Sequence, residues 1–334
     1  MEPLVSILIL AFNSEAFVAE TVQSALAQAW GRTEIIVVDD GSTDHTAAVC
    51  RRFAARNVAV VSQPHQGAAA ARNKALSLSQ GDYIQWLDAD DLLGPEKVAK
   101  QLGAIIDTND RRTLLSCGWA YFRYRPHRAA FVPGALWADL SPAEWLLRKL
   151  ELNAYMASST WLVSRELTDA AGPWNTRLLV DDDGEYFCRV LLACNAIRFV
   201  PDARTFYRRR LGSLSSTDGS TEKLDSWFLS VELHIGYLRS IDDSERARGA
   251  CLNYLQRFFD YVYPARPEVI EQAQRLAASL GGQLVAPQLS WKYAWLQRLF
   301  GWTSAKRAQL LYNRYKSSLL AFGDRSLARL EKRT

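Results

Sequence analysis

Tyr83-Ile84-Gln85-Trp86-Leu87-Asp88-Ala89-Asp90-Asp91 carries a mostly apolar run straight into three acids. An apolar run without alternation marks a strand buried on both faces. Glu34–Val38 (EIIVV) has the same form and ends abruptly in Asp39-Asp40-Gly41-Ser42. Val5–Phe12 (VSILILAF) and Val58–Ser62 supply two more strands. Helical spacing fills the gaps between them. Phe17, Val18, Val22 and Leu26 follow the first strand, with Asn13 or Ser14 as the expected cap. A short helix is predicted from about Thr43 to Ala55. Gly67 opens an alanine-rich helix that Gly81 stops. Pro95 suits the first turn of a helix with Val98, Leu102, Ile105 and Ile106 on one face. This βαβαβ order predicts an α/β fold with a mostly parallel central sheet flanked by helices. Ligand sites in such sheets lie at the carboxyl ends of the strands, where two of the acidic clusters fall.

Further along, Leu114–Tyr124 reads as a strand, and Ser141-Pro142-Ala143-Glu144 as a capping-box helix start. The chain turns at Gly172-Pro173-Trp174-Asn175. A third acidic cluster, Asp181-Asp182-Asp183-Gly184-Glu185, precedes the helical stretch Tyr186–Leu192. Ile197–Val200 and Arg204–Tyr207 are predicted as two short strands. From about Thr221 the pattern is helical throughout. The expected division is therefore an α/β domain over 1–220 and a helical C-terminal extension over 221–334, basic toward its end.

Composition narrows the function. The 334 residues are 49% hydrophobic and 23% charged, ordinary for a globular chain. No apolar run approaches the roughly 20 residues that span a bilayer. The first apolar stretch follows Glu2 and lacks a small-residue cleavage site, so no export signal is predicted. Five cysteines without a C-x-x-C pair then point to a reducing cytoplasmic compartment and no structural zinc. Four histidines without H-E-x-x-H argue against a zinc hydrolase. No G-x-G-x-x-G follows the first strand and no G-x-x-x-x-G-K-[ST] occurs. That argues against a nicotinamide dehydrogenase, a glycine-loop methyltransferase and a P-loop NTPase. A sugar nucleotidylyltransferase wants a glycine-rich loop where Ala11–Glu15 stands.

Three carboxylate groups on separate loops need a cation or a polar ligand to offset their repulsion. On an extended segment Asp88 and Asp90 project to the same side. Hard oxygen ligands of this kind suit Mg²⁺ or Mn²⁺ held jointly with substrate phosphates. By itself, a D-x-D is more commonly a turn with acids at a helix start. Asp39-Asp40 suits a ribose or base contact, or equally an Asx turn.

Taken together, Val5–Asn13, Glu34–Asp44, Gly67–Asn73 and Gly81–Asp91 resemble the family 2 glycosyltransferases of GT-A fold, in the family's order and spacing. The likeness is specific over residues 4–100 and extends to about 215. It implies an inverting transfer from a nucleotide-sugar, most often a UDP-sugar, to a hydroxyl acceptor in cell-surface polysaccharide, lipopolysaccharide or other glycan synthesis. Asp40 would contact the base, with Phe12 stacked near it and Arg72 near the nucleotide. Asp88 and Asp90 would form the D-x-D pair, with Asp90 and Asp91 nearest the metal, Mn²⁺ or Mg²⁺, and the ribose. Asp182-Asp183 matches the family's later acidic pair, making Asp183 the expected general base. Tyr207–Ser215 resembles the loop that closes over the diphosphate, with Arg210 where a His is common. Leu10 departs from the family's usual Pro or Thr.

Elementary chemistry agrees. A nucleoside diphosphate leaves well only when its charge is neutralised, which a divalent cation and Arg208-Arg209-Arg210 can do. The attacking hydroxyl needs a base on the opposite face, which inverts the stereocentre. Asp181, Asp182 and Glu185 are then candidates either to support the reacting groups from behind or to contact acceptor hydroxyls, with Trp161 and Trp174 as candidate sugar platforms. His45, His65 and His127 read as surface or capping residues. The alternative is a nucleotide-sugar-binding partner subunit without turnover, against which the third acid argues.

Charge is unevenly spread. From Trp291 onward there are ten Lys/Arg against two Asp/Glu, while the preceding residues carry 30 against 34. Trp291–Tyr315 interleaves Trp, Leu and Phe with Lys and Arg, and Gly301 breaks it. Such a segment suits peripheral contact with the inner face of a membrane, helices packed on the domain, or a homodimer contact. Nothing matches a nucleic-acid-reading motif.

Overall fold

The structure, a computed structural model, describes residues 2–54, 58–105, 110–210, 220–264, 266–289 and 291–331. Strand β1 (Val5–Ala11) lies at the centre of a five-stranded sheet. Around it are β2 (Thr33–Asp39), β3 (Val58–Ser62), β4 (Tyr83–Asp88) and the short β7 (Val163–Ser164), in the order β3-β2-β1-β4-β7. All neighbours are parallel except β4 and β7. The apolar runs explain the placement. Ile7 and Ile9 face one core, with helix α1 (Val18–Leu26) and α4 (Lys97–Gly103), while Leu8 faces another. That second core gathers α3 (Ala68–Leu78), α5 (Pro142–Leu152) and α7 (Asp182–Ala193). Helix α6 (Arg165–Ala171) packs on α7, and α2 (Thr46–Arg51) joins β2 to β3.

A second sheet has the order β5-β8-β6, with β5 (Leu92–Leu93), β8 (Ala196–Arg208) and β6 (Thr113–Phe122). The two short strands expected after residue 196 are one strand. Its pairing jumps from Cys117↔Val200 to Gly118↔Arg204, so the intervening Pro201 sits in a bulge, where proline removes no ladder bond.

Three helix starts also differ from expectation. Neither Asn13 nor Ser14 caps α1. Asn13 is left-handed (φ 45°) and its Oδ1 accepts the Thr43 N–H at 2.9 Å, tying the loop after β1 to the loop after β2. Helix α2 begins only at Thr46, whose N–H donates to Asp44 at 2.9 Å. Helix α7 starts earlier than its apolar spacing indicates, so the third acidic cluster forms its first turn. The Ser141 cap is as expected, its hydroxyl accepting the Glu144 N–H at 3.3 Å.

Beyond residue 220 come α8 (Thr221–Ile241), α9 (Glu245–Val262), α10 (Pro267–Ser279) and α11 (Trp291–Glu331), the last kinked at Gly301 with φ 77°. Phe228, Val231, Ile235, Leu255 and Phe258 share one apolar cluster with Trp86 and Trp161. The helical extension thus completes the core that backs the acidic strand ends.

Candidate active site

Sheet register brings the first two clusters together. Leu10 of β1 pairs with Val38 on one side and Asp88 on the other, so Asp39-Asp40 and Asp88–Asp91 leave the sheet at one level. Their environments differ sharply. The buried Asp40 carboxylate accepts from Gln63 Nε2 at 2.8 Å, Gln66 N–H at 3.0 Å and Gly67 N–H at 2.8 Å, with His65 Nδ1 at 2.8 Å. Gly41 (φ 71°) permits this loop to close, since a Cβ there would lie 2.7 Å from the His65 nitrogen. Phe12 stacks on His65, centroids 4.2 Å apart. His65, read from sequence as a surface or capping residue, is indeed 56% exposed and also lines the slot beside Asp40. No motif marked it.

Asp91 is 1% exposed. One oxygen accepts the Arg208 N–H at 2.9 Å, and the other is buried without a partner. Burial first, and then Asp90 and Asp88, push its carboxyl well above the usual range. Asp90 is raised to about 6 by burial and by Asp88, an effect that Arg210 opposes through Nε at 2.6 Å. Among the described residues no three acidic, histidine or cysteine side chains form a complete metal cage. An unpartnered buried carboxylate oxygen between two other acids does fit Mg²⁺ or Mn²⁺, which typically takes one or two protein carboxylates and completes its shell with water and phosphate.

The third cluster reaches the same cleft through Arg72. Its buried guanidinium donates to Asp88 Oδ1 at 3.0 Å and to Asp182 Oδ2, and lies over the Trp174 ring 4.3 Å from the centroid. Asp183 accepts from the Tyr155 hydroxyl at 3.3 Å and from the Gly184 N–H at 2.9 Å. Burial and the neighbouring Asp181 raise Asp183 to about 6, with Arg72 opposing. Asp182 is likewise raised to about 6 by burial, against Arg72. The Tyr207 phenol is pushed upward by burial and then by Asp91, Asp88, Asp183 and Asp90.

Asp181 does a different job. It is left-handed (φ 56°), accepts from Ser230 at 2.6 Å, and lies 3.7 Å from His234 Nδ1, fixing the start of α7 to α8. Gly184 makes room, since a Cβ there would lie 2.2 Å from the Asp181 carboxylate.

Several expected roles need correction. Trp161 and Trp174 are each 1% exposed, so neither offers a face to a sugar. Trp161 stacks on Phe187, and Trp174 stacks on Tyr186 at 4.0 Å, both closing the core. Glu185 is also buried, spent on Arg189 at 2.8 and 3.0 Å and on Tyr237 at 2.6 Å. Asp182 is an ion-pair partner of Arg72. Of the arginine triplet, Arg208 is structural, donating to Asp90 O, Arg123 O and Glu20. Arg209 covers Tyr121 at 3.6 Å, and the Arg210 side chain reaches an acid of the cleft, Asp90. The remainder of the expected closing loop, from Leu211 to Ser215, lies outside the described residues. Sequence reading missed Tyr155 and Ser158, whose hydroxyls meet Asp183 and, at 3.5 Å, Asp88.

A parallel sheet ending in acids, with a second sheet closing one side, is the GT-A architecture. The chain belongs to glycosyltransferase family 2, whose signature it matches over residues 6–168. It is 30% identical over 249 residues to the uncharacterised glycosyltransferase RP339 of Rickettsia prowazekii, an alignment covering 73% of this chain and 74% of that one. To the glycosyltransferase GlyG of Streptococcus pneumoniae it is 28% identical over 228 residues, covering 65% and 75%. Several further relatives match over less than half their own length. Among solved structures, S. aureus TarS 1–349 in complex with UDP-GlcNAc superposes with a TM-score of 0.67 at 20% identity, covering 83% of this chain and 81% of that one.

Proposed function

We propose that this chain transfers a sugar from a UDP-sugar to a hydroxyl of a glycan or lipid-linked acceptor, with inversion and with a divalent cation. The single observation that carries this reading is the Arg72 bridge, which joins Asp88 to Asp182 and so puts the strand-end acids and Asp183 in one cleft. The structural likeness to TarS, solved with UDP-GlcNAc, supports a uridine nucleotide.

The slot between Phe12, His65 and the Asp40 loop receives the base. Asp90 and Asp91 would hold Mn²⁺ or Mg²⁺, with Asp88 beside them, and the cation would supply charge neutralisation for the departing diphosphate. Arg210 sits on Asp90 and is positioned to turn its guanidinium onto phosphate once Asp90 is otherwise neutralised. Asp183 removes the proton from the attacking hydroxyl. Raised to about 6, it remains ionised at neutral pH yet is basic enough to accept a proton as the bond forms. Tyr155 donates to one Asp183 oxygen and orients it.

A thermal-shift panel of nucleoside diphosphates with and without Mn²⁺ tests the donor half of the scheme. UDP with Mn²⁺ should raise the melting midpoint above either alone, as mass action requires. Equal stabilisation by all bases, or by UDP regardless of metal, would refute the uridine or the cation assignment.

A further inference from the structure

Helix α11 meets the rest of the chain along one side. Asp324 accepts from the Tyr124 N–H at 3.1 Å and from Arg125 Nε at 2.8 Å, and Glu331 accepts from Arg125 at 3.0 Å. Ala321 and Ala328 are buried on this side. Trp302 packs edge-on against Tyr263, centroids 5.5 Å apart. The opposite side carries Tyr312, Tyr315, Leu319, Phe322 and Leu330. Steps of three, four and eight put them on one face, and all are more than half exposed, Phe322 at 72%. Trp295, Leu299 and Phe300, before the kink, are exposed as well. An apolar stripe of this length marks a surface that something covers.

Charge selects what covers it. Both acids of the segment, Asp324 and Glu331, are paired with Arg125. The outward face is therefore flanked by the exposed Arg307, Lys316 and Arg329, with no carboxylate on it among the described residues. A second copy of the same helix would set cation against cation. An anionic lipid surface neutralises those cations while Tyr, Phe and Leu side chains enter the headgroup boundary. No helix among the described residues is long and apolar enough to cross a membrane.

We propose that α11 is the membrane-binding element of this chain and seats its Tyr312–Leu330 face in an anionic bilayer surface. The helix docks on Tyr124–Arg128, just past the end of β6, where Phe122 pairs with Arg208 of β8. Binding therefore brings the β6–β8 edge of the cleft beside the bilayer. Membrane binding itself does not depend on the transferase reading.

The test is flotation of the full chain with vesicles of phosphatidylcholine alone and of phosphatidylcholine mixed with phosphatidylglycerol. The chain should bind the mixed vesicles and lose binding as salt rises. Tyr315→Glu together with Phe322→Glu should cut binding at least about tenfold with an unchanged melting midpoint, because neither side chain is in the core. Arg307→Glu together with Lys316→Glu should cost about fivefold or more per charge on anionic vesicles. Wild-type binding by the Tyr315/Phe322 variant overturns the proposal. So does a dimer in light scattering that Phe322→Glu splits while wild type ignores vesicles, because a second copy then covers the face. UDP release from donor, measured without vesicles, is read separately and bears only on the transferase reading.

Discussion

Asp40 and Asp91 each stand just past the end of a parallel strand, are almost fully buried, and are carboxylates in an acidic cluster. Asp40 has four nitrogen partners, three of them from the 65–67 stretch that it holds in place. Asp91 has one N–H donor and an oxygen with none, and two neighbouring acids push its carboxyl upward. The first carboxylate is consumed by the fold. On the proposed reading, the second is held ready for charge that arrives with a ligand. Identical residues at equivalent places in the sheet thus take opposite roles, and only the count of donors around them tells which is which.

The contrast is tested most severely at the third cluster. Asp183 is, like Asp91, raised by burial and a neighbouring acid, and the proposed function makes it the general base. Asp183→Asn should keep nucleotide binding and lower kcat about 10²–10⁴-fold, read by UDP release. A turnover near wild type removes Asp183 from the chemistry and leaves the cluster structural.

The next effect is on stability. Arg72 is the buried cation that lets Asp88 and Asp182 share a cleft. Arg72→Met strands both carboxylates and should cost about 3–5 kcal/mol. Asp182, raised to about 6, binds a proton in the fold more readily than in the unfolded chain, so its strain is relieved as pH falls through that value. The loss measured by denaturant titration should accordingly be smaller at pH 5 than at pH 7.5. An equal loss at both would mean that packing on Trp174, rather than charge, is what Arg72 supplies.

These roles were unequally legible in the sequence. The sheet could be read because VSILILAF, EIIVV and YIQWL are buried on both faces, and continuous apolar runs have few other uses. The acids stood out because charges ending such runs are conspicuous. Donor counts could not be read: the partners of Asp40 come from a loop 23 to 27 residues on, and the partner of Asp91 from a strand 117 residues on. Tryptophan misled for a related reason. An indole suits a sugar face and a core equally, and only burial shows that Trp161 and Trp174 took the second. Tyr155 gave no signal, lying between elements without a motif. The joining of residues 197–207 into one strand was hidden by Pro201, which punctuates a sequence even where a bulge absorbs it.

The two loops can be set against each other directly by one substitution in each. Asp40→Asn replaces an acceptor oxygen by an amide that faces N–H donors, and should cost about 1–3 kcal/mol whether or not ligand is present. Asp91→Asn removes a buried charge with one oxygen unpartnered and two acids beside it, so the melting midpoint at pH 7.5 should hold or rise, while UDP binding with Mn²⁺ weakens at least about tenfold. Thermal shift with and without UDP and Mn²⁺ reads both. If Asp91→Asn destabilises the bare protein as Asp40→Asn does, the distinction between a fold-holding and a ligand-holding acid fails.

The smallest effect isolates one charge acting on another. Asp181 touches neither the strand-end acids nor Tyr155, yet after burial it is the largest influence raising Asp183. Asp183 works as a base only when ionised, so kcat should rise with pH through about 6. Asp181→Asn keeps an oxygen for the Ser230 hydroxyl and removes the negative charge. With less repulsion Asp183 ionises more easily, and the acid limb of the kcat profile should move to lower pH. The plateau should fall slightly, because a weaker base accepts the proton less well. A limb that stays in place while the plateau drops would mean that Asp181 serves only to seat α7 on α8. A limb that moves down shows a fold anchor also tuning the base two residues away, by charge rather than by contact.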